Sequence, residues 1–376
     1  MEELLIPAKA KNVDGKFTKN DVLSVSGEFG IVNQIALKGK SSAGESVLLY
    51  SVVNWGDAVY TKSPLKEAPY GIIKVNQGRA GIVSTLYAVY TLRQHLIVPV
   101  FLELYFDSNV RLNNYLKPLV NKGAKNDMKV KNVDVLKGHI HITPNVVEQA
   151  RIAEFFRVLD DRIAAAKKKA DLLKLKKRYY LQAIFNQRLR FKGFTEPWQQ
   201  RKLGELFKER SERSNQGELI SVTITNGVVP ASSLERKDNS SEDKSNYKQV
   251  KAGDIAYNTM RMWQGASGVS PYSGILSPAY TVLIPSSEVS SSFFAQMFKL
   301  VRMLHLFQRY SQGLTSDTWN LKYPLLSEIR VTIPSLAEQE RISEFLVLND
   351  ELTALVKKKA EDLQKIKSYY LQQLFV

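Results

Sequence analysis

The chain has 376 residues and a mass of 42.6 kDa, enough for two or more domains. Its 53 Lys+Arg against 37 Asp+Glu leave +16 at pH 7, which favours a polyanionic partner, nucleic acid before an anionic membrane. Hydrophobic residues at 44% and charged residues at 24% exclude a disordered or collagen-like chain, and the lack of cysteine excludes disulfide frameworks, thiolate metal sites and cysteine nucleophiles.

A cysteine-free chain with no run of 18 apolar residues and no basic-then-apolar start is expected in the cytoplasm, without a membrane span. Residues 1–147 combine short runs rich in Val, Ile, Tyr and Thr with turn residues at their borders. DAVYTK, GIVSTLYAVYTL and HIHITP read as strands, and Val100 to Val120 as a helical stretch. Residues 148–185 follow as one helical pattern, with Ile152, Phe155, Leu159, Ile163, Ala166, Ala170, Leu173, Tyr180 and Ile184 on a common stripe and no Pro or Gly between them. Two consecutive steps of four, Phe155 to Leu159 to Ile163, depart from a strict heptad and predict a locally relaxed supercoil. Such a helix reaches roughly 57 Å at 1.5 Å per residue. Its narrow seam requires another helix against it.

Residues 186–202, broken by Gly193 and Pro197, read as a linker. From 203 to 337 the strand-and-turn pattern returns in GDIAYNTM, PAYTVLIP and IRVTIP, with Ser291 to Tyr310 as the best helix and the polar stretch 232–245 as a surface loop. Residues 338–376 close the chain as a second long helix.

The two helices are copies. Residues 148–185 and 338–375 align without a gap at an offset of 190, with 19 of 38 positions identical. Weaker matches extend into the globular parts, where Ser24-Val25 answers Ser221-Val222, Gly56-Asp57 answers Gly253-Asp254, and Gly81-Ile82 answers Gly274-Ile275. The plan is therefore globular part, long helix, globular part, long helix, and the obvious partner for each helix is the other copy.

The machinery of an enzyme is missing from the sequence. Gly39-Lys40-Ser41 has Gln34 where a phosphate loop needs glycine. No Asn-Pro-Pro-Tyr run is present to hold a flipped adenine, and no glycine-rich turn for S-adenosylmethionine. His139 and His141 share a strand face but have no carboxylate cluster beside them, so they read as surface histidines. No catalytic or metal-binding residue is expected, and the reading is a non-enzymatic binding subunit.

The charge is uneven. Residues 148–202 hold +9, residues 203–337 only +2 and residues 338–376 hold −1. The triplets Lys167–Lys168–Lys169 and Lys357–Lys358–Lys359 are either solvated helix faces or phosphate contacts. Base readout needs planar polar side chains presented to a groove. In the second globular part YNTMRMWQG (257–265) and GLTSDTWN (313–320) supply Asn258, Arg261, Trp263, Gln264, Thr315, Ser316, Trp319 and Asn320. In the first, YTKSPLK (60–66) and NKGAKNDMKVK (121–131) supply Lys62, Ser63, Lys122, Lys125, Asn126 and Lys129, and Arg79 joins them as a further candidate. For each, an ordinary polar loop is the competing reading.

The segment GFTEPWQQRKLGEL at 193–206, the pair TPNVVEQARI (143–152) and IPSLAEQERI (333–342), and lysine-rich helices ending in YYLQ resemble the specificity subunit of type I restriction-modification enzymes, across essentially the whole chain. The resemblance implies an α+β fold of two mixed α/β target recognition domains separated by two long conserved helices packed as an antiparallel coiled coil. It assigns residues 1–147 and 203–337 to the two recognition domains, 148–185 and 338–376 to the spacer helices and 186–202 to the linker. It implies that each domain reads one half of a bipartite double-stranded DNA site, that two methyltransferase subunits dock on this chain and that restriction subunits join them. No cofactor is expected here; S-adenosylmethionine, ATP and magnesium are expected in the partner subunits. The Trp198 to Glu205 segment has no counterpart before the first globular part, which is expected to be short at its start. That departure keeps a second reading open, an assembly scaffold or inactive variant that binds partners without reading DNA.

Overall fold

A computed structural model describes residues 1–44, 46–122, 128–235 and 240–375, in two units, Met1–Lys168 with Val356–Val376 and Lys169–Leu355. In the first unit an antiparallel sheet runs in the order Leu5–Pro7, Tyr87–Leu92, Ala58–Thr61, Ile73–Val75. Successive residues of a strand face opposite sides, and here both sides are covered. Ala58, Tyr60, Ala88 and Tyr90 share a core with Phe101, Leu102 and Phe106 of the helix Pro99–Phe106. Val59 and Val89 share another with Leu23, Ile31, Val53 and Val83, which come from two antiparallel strand pairs, Leu23–Ser26 with Gly30–Asn33 and Ser51–Val53 with Gly81–Val83. Central strands covered on both faces need near-continuous apolar runs, which is why DAVYTK and YAVYTL carry so little polarity.

The second unit repeats this plan. Its sheet runs Phe207–Glu209, Tyr280–Pro285, Ile255–Asn258, Ser267–Val269, with Ile255, Tyr257 and Leu283 in the helix-side core and Ala256 and Val282 in the other. The agreement reaches single hydrogen bonds. The Ala8 N–H donates to Val89 O at 2.8 Å, and the Arg210 N–H to Val282 O at 2.9 Å. Gln149, fully buried, donates from its amide to Leu96 O (3.1 Å) and Thr143 O (2.9 Å) and accepts from the Val98 N–H at 2.9 Å. Gln339 donates to Glu288 O (3.2 Å) and Pro334 O (3.0 Å) and accepts from the Ser290 N–H at 3.0 Å.

Three expectations change. Each long helical stretch of the globular parts is a pair of helices: Pro99–Phe106 and Asn109–Leu116, where Ser108 caps the second, and Ser291–Met297 and Val301–Tyr310, separated by an extended Leu300. The HIHITP run alternates exposed and half-buried side chains but pairs with no strand among the described residues. Its counterpart Arg330–Ile333 pairs with Gln199–Lys202, just before the point where the Leu203 N–H donates to Ile329 O at 2.9 Å. In the first unit the corresponding bond, at 3.0 Å to Gly138 O, comes from the amine of Met1.

The helix seam also differs in register. The long helices are Val146–Phe185 (40 residues) and Leu336–Gln373 (38 residues). In the first unit the helix carrying Phe155 packs antiparallel on the one carrying Tyr370, the two rings lying 5.2 Å apart, and Lys367 reaches Asp160 at 2.7 Å. In the second unit Phe345 meets Tyr180 at 5.0 Å, and Lys177 reaches Asp350 at 2.6 Å. Every one of these second-unit residues is the repeat partner, at offset 190, of one in the first. Phe155 is 39% exposed, whereas Phe156 is fully buried, so the stripe runs Phe156, Leu159, Ile163, Ala166, Ala170. Those steps are 3, 4, 3, 4, a regular heptad rather than a relaxed one. Phe155 instead covers the flank of the seam, edge-on to Tyr370.

A buried seam position carries an amide. Asn349, the counterpart of Leu159, is buried with its Oδ1 lacking any hydrogen-bond donor. An orphaned buried oxygen costs about 1–3 kcal/mol. Asn349→Leu, which copies the other helix, is expected to raise the unfolding midpoint of the second unit by a few degrees. A lowered midpoint in a thermal melt would show that the amide is satisfied in solution.

Candidate nucleic-acid interface

In the second unit two loops emerge side by side. The first follows the central strand Ile255–Asn258. Asn258 Oδ1 accepts from the Met260 N–H at 3.0 Å, Thr259 Oγ1 donates to Ala279 O at 2.8 Å, and the Trp263 indole donates to Met260 O at 3.1 Å. A short 3-10 turn, Met262–Gln264, ends at Gly265, whose φ of 86° suits glycine. The second loop spans 311–320 and is closed by Gln312 and Asn320, which exchange backbone bonds of 3.0 and 2.8 Å. Inside it the Thr318 and Trp319 N–H groups both donate to Thr315 O. The loops are joined at the base, where the Leu321 N–H donates to Thr259 O at 2.9 Å, and by Trp263 and Trp319, whose rings meet edge to face at 5.0 Å.

The sequence candidates of this half thus converge, but with different parts to play. The Asn258 oxygen and the Trp263 indole N–H are spent on the loop itself, and Trp319 packs on Trp263. Arg261 and Gln264 are half-exposed with no ion pair among the described residues, while Thr315 and Ser316 are exposed. A guanidinium on a rigid turn, flanked by hydroxyls and an amide, is equipped for bidentate recognition of a base edge or phosphate.

A lysine that the sequence did not single out holds this site. Lys299 Nζ donates to Gly265 O and to Ile224 O (3.3 Å), tying the Arg261 loop to the turn that follows Glu218–Thr223. Burial pushes its ammonium below the usual lysine range. Nothing in the local pattern marks it, because its partners are backbone carbonyls distant in sequence.

In the first unit the candidates are less concentrated. Lys62 and Ser63 follow the central strand Ala58–Thr61 at the place of Thr259 and Met260, and burial, with Lys11 nearby, lowers the Lys62 ammonium. Near that end lies the antiparallel pair Asn121–Lys122 with Met128–Lys129, where Tyr60 Oη is 3.7 Å from Met128 Sδ. Lys125 and Asn126 lie outside the described residues. Arg79 does not join the group. It follows the strand Ile73–Val75, which runs antiparallel to Ala58–Thr61, and the adjacent Asn76 N–H donates to Asp57 O, so Arg79 stands at the opposite end of the sheet. The six lysines of the two triplets are all exposed. Among the described residues no group of three or more His, Asp or Glu is placed to hold a metal ion, and no helix is long and apolar enough to cross a membrane.

Residues 195–365 match the family model described as "Type I restriction modification DNA specificity domain". No curated protein matches the chain. Among solved structures, the S subunit of a type I restriction-modification system from M. genitalium is similar over 100% of this chain and 94% of its own, with a TM-score of 0.57 at 15% identity. A chain from a structural study of complex assembly and conformational transition of the type I R-M system is similar over 99% of this chain and 95% of its own, with a TM-score of 0.50 at 15% identity.

Proposed function

We propose that this chain, whose residues 195–365 match the type I restriction modification DNA specificity domain, is the non-catalytic DNA-recognition subunit of a type I restriction-modification complex. Each globular part reads one half of a bipartite double-stranded site. The two long helices set the distance between the halves and dock two methyltransferase subunits, which restriction subunits join.

One observation carries this reading. The scaffold is repeated down to individual hydrogen bonds, while the loops set upon it differ in most residues, with Arg261, Trp263 and Trp319 in one copy and Lys62 and Ser63 in the other. Duplicate frames with divergent loops suit the reading of two different half-sites. The lysine triplets, exposed and without ion pairs among the described residues, fit sequence-independent phosphate contacts.

The test is co-expression with a methyltransferase partner, followed by mapping of methylated bases. A two-part motif with a fixed spacer is expected; no new methylated motif would leave the chain as an assembly scaffold. Arg261→Ala is expected to weaken discrimination at one half by about 1–3 kcal/mol and leave the other half intact. Changing Lys167, Lys168 and Lys169 to Gln is expected to weaken binding to all sequences and flatten its salt dependence. An Arg261→Ala complex that relaxed both halves equally would overturn the division of labour.

A further inference from the structure

Leu314 is 101% exposed, as open to water as a leucine in an extended peptide. Isolated exposed leucines are common and by themselves mean little. This one is held out by a rigid turn. Gln312 and Asn320 close the loop with two backbone bonds, the Thr315 N–H donates to Thr318 Oγ1 at 3.1 Å, and Thr318 Oγ1 donates to Thr315 O at 3.0 Å. Gly313, immediately before the leucine, has φ of 135°, and a Cβ there would meet Thr318 O at 2.5 Å. Only glycine permits this turn, so the side chain is presented at a defined place rather than trailing from a loose segment.

Its surroundings specify what it is presented to. The loop base carries Trp319, which stacks edge-on against Trp263, two residues from Arg261. The loop itself has Asp317 as its one charged residue, so it is not built to ride along the phosphates. A turn that is acidic and apolar at its tip, beside an arginine and hydroxyls, suits entry into a groove. Proteins that kink duplexes use leucine side chains in this manner, inserted between base steps and flanked by polar contacts.

We propose that Leu314 is a DNA wedge: it enters between adjacent base pairs in the half-site read by the second unit and unstacks that step. Specificity then has an indirect part at this step, since flexible pyrimidine–purine steps open more readily than stiff ones. The proposal rests on the DNA-reading function above.

The experiment uses the full chain assembled with its methyltransferase partner and a duplex carrying the motif that the complex methylates, with 2-aminopurine placed in turn at each adenine position of the second half-site. The unmodified complex is expected to raise fluorescence at one step other than the adenine that the methyltransferase flips out of the stack. Leu314→Ala is expected to lose that signal and about tenfold in affinity with an unchanged melting curve, and Leu314→Met to recover both. Specific, Arg261-dependent binding with no fluorescence change beyond the methylated adenine, or a second signal and an affinity that survive Leu314→Ala, overturns the wedge and leaves the DNA reading standing. Loss of the methyltransferase from the Leu314→Ala complex, with unstacking retained, overturns it in favour of a protein contact. Absence of specific binding by the unmodified complex defeats both.

Discussion

Arg210→Met is expected to lower the stability of the second unit by about 3–5 kcal/mol, because it leaves the Asp254 carboxylate buried without its cation. The pair is bidentate, with Arg210 Nε 2.7 Å from one oxygen of Asp254 and Nη2 2.9 Å from the other, and both residues are buried. Glu212 takes a further guanidinium N–H, and the Lys251 N–H donates to Asp254 Oδ2 at 2.8 Å. At roughly 2–4 °C per kcal/mol for a unit of this size, the midpoint should fall by about 6–20 °C in a thermal melt. The first unit shows what the site looks like without the arginine. Asp57 is as buried as Asp254 and likewise accepts a backbone N–H, that of Asn54 at 2.8 Å, but Ala8 stands where Arg210 does. Burial, opposed by hydrogen bonds from Asn54 and Thr91, holds the Asp57 carboxyl above the usual carboxylate range.

That comparison gives the variant a pH signature. A carboxyl whose folded pKa is raised contributes most below its unfolded value, near 3.8 for Asp, and its contribution is lost as pH rises through the folded value. Arg210→Met should therefore regain part of its lost stability in mild acid, whereas Asp254→Asn should show no such recovery. A variant that melts within a degree or two of the unmodified protein at neutral pH would show the pair to be worth little.

Much of the plan was legible because it was written twice. The offset-190 identity of the helices, the Gly-Asp and Gly-Ile matches and the all-apolar central strands gave the repeat, the strands and the partner of each helix. What escaped the sequence depended on geometry between distant residues. Phe155 and Phe156 are both plausible seam residues on a helical wheel, and only packing chooses Phe156. The HIHITP run has strand composition, but a strand needs a neighbour. Arg79 and Lys62 lie 17 positions apart in one basic part of the chain, yet antiparallel pairing sends them to opposite ends of the sheet. Lys299 and Leu314 carry no local signature at all. In the candidate site the loops were legible from their polar and aromatic mixture, while the split into scaffold residues, such as Asn258 and Trp263, and presented ones, such as Arg261, required the hydrogen bonds.

The Glu-Gln pairs at the start of both long helices served as family markers in the sequence, and the structure gives them a physical reason. Each glutamine uses two amide protons and its oxygen on three backbone groups, in a fully buried setting. Those groups belong to the loop before the long helix and to the segment entering the helices of the globular part, so one side chain fixes the angle at which the long helix leaves. The preceding glutamates differ. Glu148 accepts from Thr143 at the exposed helix start, whereas buried Glu338 forms a bidentate pair with Arg190 at 2.7 and 3.0 Å. Gln149→Leu keeps the volume and removes every partner, leaving Leu96 O, Thr143 O and the Val98 N–H unpaired at about 1–3 kcal/mol for each group that water cannot reach. The expected loss is about 3–6 kcal/mol in the first unit, with Gln339→Leu giving the same loss in the second. Because the two networks share no residue, the effects should add in the double variant. The informative readout is the pairing of stability with geometry. Complexes carrying a partly destabilised but folded glutamine variant should methylate both half-sites at an altered or blurred spacing, a consequence that no surface-loop substitution should produce. Unchanged spacing together with unchanged melting in both variants would show that these amides do not set the helix exit.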